Sequence, residues 1–250
     1  MHDYPAGRLA VWATAWLSGR TSYDHALDAL VGDTAHRVSG LPGTDEAVAL
    51  GPALSALRGL GETRLRLVLP VPGDVRGLPA VPGLAALALE SGQAAVGERL
   101  ALVPEPLGPE VIAWTAFPVD GAPPSAPPVE GTLRTVSGGL DLAVGDAART
   151  LAQLDVARWN PEVPALLAGL GRTTTAPALP DDHDALAVSV LGRAQRLAAV
   201  LDLAMADAPG AAVNHAQAAA RDTALRPLAD AVREATTAAF NWIPREPSPR

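Results

Sequence analysis

The sequence predicts an α+β fold, in which N-terminal helices pack on a small antiparallel sheet and an α-helical bundle follows. Three observations support this prediction. Apolar residues recur at helical spacing up to residue 60, polar and apolar residues then alternate in short strands, and helical spacing returns after residue 131. Because no helix-length segment separates the strands, we expect the sheet to be antiparallel.

The N-terminal helices begin with a segment that contains two tryptophans. One apolar stripe at helical spacing, typical of a helix that packs on a core, comprises Leu9, Trp12, Ala13, Trp16 and Leu17. Thr21 and Asp24 have the spacing of a capping box, so a second helix is expected to begin there. A third helix is predicted over residues 52–60, with its proline in the first turn.

Four strands are predicted in the middle of the chain, over residues 64–69, 84–89, 94–103 and 111–117. In the first of them the alternation places Arg64 and Arg66 on a solvent-exposed face. Residues 90–92, which are Glu-Ser-Gly, predict a tight hairpin between the second strand and the third.

Residues 120–131 (DGAPPSAPPVEG) mark the predicted domain boundary, because prolines oppose both helix and sheet. This linker would separate an α+β domain (1–119) from a helical domain (132–243), and residues 244–250 would form a disordered tail. The helical domain is expected to hold about four helices, including a short one near residues 163–170. Its last two helices, over residues 181–207 and 211–241, should form a hairpin whose core contains Leu186, Leu197, Leu201, Leu228 and Val232.

Composition excludes several kinds of site. All 19 basic residues are arginines, cysteine is absent, and the net charge is −8. Without lysine there is no P-loop and no Schiff base, and without cysteine there is no disulfide or thiolate metal site. The acidic balance opposes nucleic acids and anionic membranes, and no segment reaches the roughly 18 apolar residues of a membrane span. We therefore expect a soluble cytoplasmic protein with no cofactor.

The avoidance of lysine is typical of a GC-rich genome, so the choice of arginine alone carries little functional meaning. The position of one arginine nevertheless suggests a binding site. Residues 71–82 (VPGDVRGLPAVP) display Asp74 and Arg76 directly after a predicted strand, and a guanidinium binds carboxylate or phosphate with two parallel hydrogen bonds. The same residues would also suit a rigid connection in which Asp74 caps a turn and Arg76 is solvated.

A second cluster, residues 181–184, collects three aspartates and one histidine at a predicted helix start. Asp182 and His183 are its candidate metal ligands. Adjacent residues at a helix start point in different directions, however, and carboxylates there interact well with free backbone amides, so we predict no metal site. Trp242 is the one tryptophan considered for ligand contact, whereas the others are expected in the core.

The sequence contains neither a nucleophile elbow nor a dinucleotide-binding glycine motif. The preferred interpretation is therefore a non-catalytic interaction or regulatory protein. Its alanine-rich helices would permit close contact within one chain or between chains, so that the partner is another protein or a second copy. The alternative is a small-molecule-binding protein or hydrolase-like enzyme that uses the Asp74/Arg76 loop.

Overall fold

The structure, a computed structural model, describes residues 4–119, 121, 132–153, 179–205 and 215–244. These residues form seven helices and a six-stranded sheet, which confirms the α+β prediction. In chain order the elements are α1 (Pro5–Leu17), α2 (Tyr23–Val31), β1 (Ala35–Ser39), β2 (Val48–Ala49), α3 (Leu50–Gly59), β3 (Arg66–Val68), α4 (Leu84–Ser91), β4 (Ala94–Val96), β5 (Leu100–Pro106), β6 (Val111–Pro118), α5 (Leu133–Gln153), α6 (Ala185–Met205) and α7 (His215–Phe240).

The chain divides into two compact units. The described residues of the first, called the sheet unit below, are 4–119, 121, 179–183 and 240–244. Those of the second, the helical unit, are 132–153, 184–205 and 215–239. The predicted linker (120–131, apart from residue 121), the predicted helix near residues 163–170, the connection 206–214 and residues 245–250 of the predicted tail lie outside the described residues.

The sheet is mixed rather than purely antiparallel. Its strand order is β2-β1-β6-β5-β4-β3, and β1 lies parallel to β6, with Val38 beside Trp114. The other four pairings are antiparallel. Strands β1 and β2 have no counterpart among the predicted strands, because five and two residues are too few for a distinct alternation.

The predicted strand over residues 84–89 is wrong, and with it the predicted hairpin at residues 90–92, because residues 84–91 form helix α4. Left-handed glycines bound the helix, with φ of 81° at Gly83 and 72° at Gly92. Leu84 and Ala88, one helical turn apart, face the core. A short run of leucine and alanine does not reveal its period, and both residues favour helix.

Both faces of the sheet carry helices. The α4 side holds a core cluster of Val68, Leu78, Leu84, Ala88, Ala94, Val96, Ala101, Val103 and Val119. Helix α1 contacts β3, β4 and β5, and the alternate residues Leu67, Ala95 and Leu102 are buried as well. Burial on both faces makes β4 and most of β5 continuously apolar. The predicted strand 94–103 is in fact these two strands, joined by a turn at residues 97–99.

The tryptophan-containing helix is confirmed as α1, with both indoles in the core of the sheet unit. The guanidinium of Arg58 lies 3.8 Å from the centroid of the Trp16 ring and donates to the Trp16 carbonyl at 3.0 Å. Ser22, rather than Thr21, caps α2 by accepting from the N–H of His25 at 3.2 Å. The helix therefore begins one residue later than the predicted capping box.

A buried carboxylate holds the turn between β4 and β5. The Glu62 side chain is only 4% exposed. Its Oε1 accepts from the backbone N–H of Arg99 (2.6 Å) and Leu100 (2.8 Å), and its Oε2 accepts from that of Glu98 (3.0 Å). A Cβ at residue 97 would clash with this carboxylate, so the turn requires Gly97. Charge-assisted hydrogen bonds of this kind are stronger than hydrogen bonds between neutral groups.

In the helical unit, α5 packs against α6, and Asp141 forms an ion pair with Arg193. Buried residues recur every three and four positions in α6 (Ala187, Leu191, Ala194, Ala198, Leu201) and in α7 (Leu225, Leu228, Val232, Ala235, Ala239). This spacing is typical of helices packed in a bundle. Within the described residues, no helix is long and apolar enough to cross a bilayer.

Two residues that were predicted to lie in the helical core are not buried in the structure. Leu186 is 37% exposed and Leu197 is half-buried. The buried stripe of α6 is centred on alanines, and leucine side chains at its borders reach solvent. Leu201, Leu228 and Val232 are buried as predicted.

We predict that Glu62→Ala lowers the free energy of unfolding by about 3 kcal/mol, because three backbone N–H groups lose their acceptor. Glu90→Ala, which removes an exposed carboxylate, should change it by less than about 0.5 kcal/mol. Urea unfolding of both variants checks this, and equal midpoints would show that Glu62 does not hold the turn.

A matched pair of leucines tests the helical core. Leu191 is 1% exposed and Leu142 is 73% exposed. Leu191→Ala should cost about 2–5 kcal/mol through lost burial and the cavity left behind, whereas Leu142→Ala should cost under about 1 kcal/mol. Thermal and urea denaturation measure both, and similar losses would mean that the buried stripe of α6 is misplaced.

Candidate functional site

A recess in the sheet unit brings together four distant parts of the chain: α1 and the turn after it, the residues before β3, residue 183, and the segment that ends α7. It is lined by Ala10, Val11, Thr14, Arg20, Arg64, Leu65, His183, Phe240, Asn241, Trp242 and Ile243. Its cavity volume is about 10 Å³, which is room for about one water molecule. Thr14, Leu65 and Phe240 of this lining are buried, and its other polar side chains are half-buried.

The recess lies beside β3, the last strand of the sheet. The backbone groups of Leu65 and Leu67 at this position, called the β3 edge below, are bonded to side chains instead of to a neighbouring strand. Thr14 Oγ1 accepts from the N–H of Leu65 at 2.9 Å and donates to its carbonyl at 3.2 Å. Asn241 Oδ1 accepts from the N–H of Leu67 at 2.7 Å, and Asn241 Nδ2 donates to the Leu67 carbonyl at 2.9 Å.

Residues 240–244, called the return segment below, are held at this edge by further contacts. The Phe240 ring lies against Gly7, where a Cβ would come within 3.0 Å of it, and meets the Tyr4 ring edge-on with centroids 6.0 Å apart. Arg64 donates to the Asn241 carbonyl at 2.8 Å. The asparagine is thus fixed both by its backbone and by its side chain.

Of the two candidate metal ligands, His183 lines this recess and Asp182 pairs with Arg20, another residue of the lining. The Asp182 carboxylate forms an ion pair with Arg20 at 2.7 Å. The His183 ring packs edge-on against Trp242, with centroids 5.2 Å apart. Asp184, the last residue of the sequence cluster, accepts from the N–H groups of Leu186 and Ala187 and so caps α6. Among the described residues, no three metal-ligating side chains converge.

The structure brings Asp74 and Arg76 together in a second place, within a tight turn. Val71 and Asp74 exchange backbone hydrogen bonds, and Gly73 has φ of 88°. The Asp74 carboxylate accepts from Arg76 Nε at 2.8 Å and from its Nη2 at 2.7 Å. Its Oδ1 also accepts from the backbone N–H of Arg76 at 3.2 Å. The two-pronged edge of the guanidinium is therefore already bound to a carboxylate of its own loop.

Several polar residues that the fold uses carry no signal in the sequence. Thr14 and Asn241 bond to residues 51 and 174 positions away. Between β6 and β1, the buried Trp114 donates from Nε1 to His36 Nδ1 at 3.0 Å. Because an indole N–H can only donate, that histidine nitrogen carries no proton. No local pattern marks any of these pairs, since each depends on contacts between distant segments.

Comparison with known proteins gives a family but no solved structure. A model described as "Rv1486c-like protein, N-terminal domain" matches residues 6–130, and its "C-terminal domain" counterpart matches residues 134–237. The chain is 29% identical to "Uncharacterized protein Rv1486c" of Mycobacterium tuberculosis strain H37Rv, covering 96% of each chain. It is equally similar to "Uncharacterized protein MT1533" of strain CDC 1551, with the same coverage. No solved structure matches.

We predict that Arg76→Ala changes stability by less than about 1 kcal/mol, because the ion pair with Asp74 is partly exposed. Phosphate-bearing and carboxylate compounds should raise the melting temperature of the variant and of the parent equally, since the guanidinium is already bound. A thermal-shift screen measures this, and a stabilisation that disappears with Arg76 would identify the loop as an anion site.

Proposed function

The chain belongs to the Rv1486c-like protein family, and we propose that it is a non-catalytic interaction protein that binds a protein partner in the cytoplasm. The observation that carries this proposal is that three carboxylates among the described residues, which could each serve a binding or catalytic site, already bond to other groups of the fold. Asp74 binds Arg76, Asp182 binds Arg20, and Glu62 binds three backbone amides. Each of these groups stabilises a turn or a docked segment, which is the use expected of a scaffold.

Exposed apolar side chains on the helical unit supply the partner-binding surface in this proposal. Leu142 of α5 is 73% exposed, and Leu186 and Val188 in the first turn of α6 are 37% and 36% exposed. Leu142 lies two residues beyond the buried Leu140 and so on the opposite side of α5. Burial of apolar side chains of this size under a partner lowers the free energy of the complex.

The charge of the chain favours a protein partner over a nucleic acid. A net charge of −8 repels phosphates, whereas it does not oppose an apolar protein surface. A second copy of the chain is the other possible partner, and it would meet the exposed Leu142 and Leu186, because the alanine-rich stripes of α6 and α7 are already buried.

The alternative function is a small-molecule-binding protein or hydrolase-like enzyme that uses the Asp74/Arg76 loop. An anionic ligand would have to displace Asp74 from Arg76, and so replace a bidentate ion pair that is already formed. The interaction protein is therefore preferred.

The test is quantitative capture of partners after cross-linking in cells of the source organism. Leu142→Asp combined with Leu186→Asp should reduce the recovery of specific partners by about tenfold or more, because a buried apolar contact becomes a buried charge. Leu107→Asp is the matched control, since Leu107 is 59% exposed but lies in the sheet unit. Light scattering of the purified chain shows separately whether the partner is a second copy.

Partners that are captured equally by the double variant, the control and the parent would contradict a binding surface on the helical unit. A saturable catalytic turnover by the purified chain would contradict the non-catalytic role.

A further inference from the structure

The β3 edge has the hydrogen-bonding pattern of a strand-binding site that is already filled. The N–H and carbonyl of Leu67 both bond to one primary amide, the side chain of Asn241. An antiparallel strand would present one backbone N–H and one carbonyl at the same place, because a hydrogen-bonded pair of residues exchanges both bonds. The asparagine side chain therefore occupies the position that one residue of a seventh strand would take beside β3.

We propose that the β3 edge binds an extended acidic peptide of a partner protein, and that the return segment is the latch that closes it. A peptide backbone would replace the Asn241 amide at Leu67, bond for bond, while Thr14 of the buried helix α1 would keep its hydrogen bonds to Leu65. Such strand addition draws its affinity from main-chain hydrogen bonds and its specificity from side chains. The site is separate from the helical surface invoked above.

The acidic character follows from the arginines around the edge. Arg64 and Arg66 flank Leu65 on alternate positions, so a strand added there would lie beside two positive charges. Opposite charges on adjacent strands stabilise a pairing, and like charges destabilise it. A carboxylate of the bound peptide would accept from Arg64 in place of the Asn241 carbonyl.

The same charges argue against a second copy as the occupant. Two β3 edges paired about a twofold axis would bring the arginines of one strand toward those of the other. A strand of alternating acidic and β-branched residues avoids this repulsion and suits the pleat. A peptide is therefore the better fit.

The experiment uses the full chain with Asn241→Ala, which removes the amide from Leu67. Hydrogen exchange of the Leu67 amide should become about tenfold faster or more than in the parent. A labelled hexapeptide of alternating glutamate and valine should bind the variant about tenfold more tightly than the parent, and should slow this exchange again. A lysine–valine hexapeptide should show no such gain. Glu90→Ala, an exposed change away from the edge, is the control variant and should behave as the parent.

Each other outcome overturns part of the proposal. Unchanged exchange at Leu67 would show that Asn241 is not the latch. Faster exchange without tighter binding of the acidic peptide would exclude the acidic strand, and a concentration-dependent dimer would assign the edge to a second copy. If the alanine variant does not fold, Asn241→Ser provides the same measurements with a shorter side chain. None of these results bears on the helical surface, which Leu142 and Leu186 test.

Discussion

Every peptide group at the edge of a sheet needs a hydrogen-bond partner, and the way β3 meets this need organises the sheet unit. A bare edge invites pairing with other chains, so folded proteins cover or charge it. Here Thr14 from α1 and Asn241 from the end of α7 each bond both backbone groups of one residue. Helix α1 and the return segment are thereby tied to the same strand, and residues 179–183 contact both parts of the sheet unit through Asp182, which pairs with Arg20, and His183, which packs on Trp242.

The need for hydrogen-bond partners also explains why charged residues that resemble functional sites in the sequence stabilise turns and helix starts in the structure. A buried or partly buried amide without an acceptor costs free energy, and a charged carboxylate is the strongest hydrogen-bond acceptor among the side chains. Glu62 serves the turn between β4 and β5, and Asp184 serves the start of α6. Asp74 instead neutralises Arg76 and holds its loop closed.

The candidate site was predictable only where its partners are close in sequence. Asp74 and Arg76 are two positions apart, and the glycines beside them indicate a turn. The sequence was therefore enough to predict that their side chains lie close together. Asp182 and Trp242 were both noted in the sequence, but nothing indicated that Arg20 and His183 would be their respective neighbours. Leu186 was misassigned for a related reason: a stripe of alanines and leucines has two plausible centres, and only packing decides which one is buried.

The sequence by itself determined the fold class, because the change of hydrophobic period from helix to strand and back is a local property of the chain. It also determined α1, α3 and β6 within a few residues, since each has a clear stripe or alternation. Only the tertiary structure decided that residues 84–91 are helical, that β1 lies parallel to β6, and that Asn241 closes the sheet edge. These features depend on contacts between segments far apart in the chain, and no local pattern encodes the partner that supplies them.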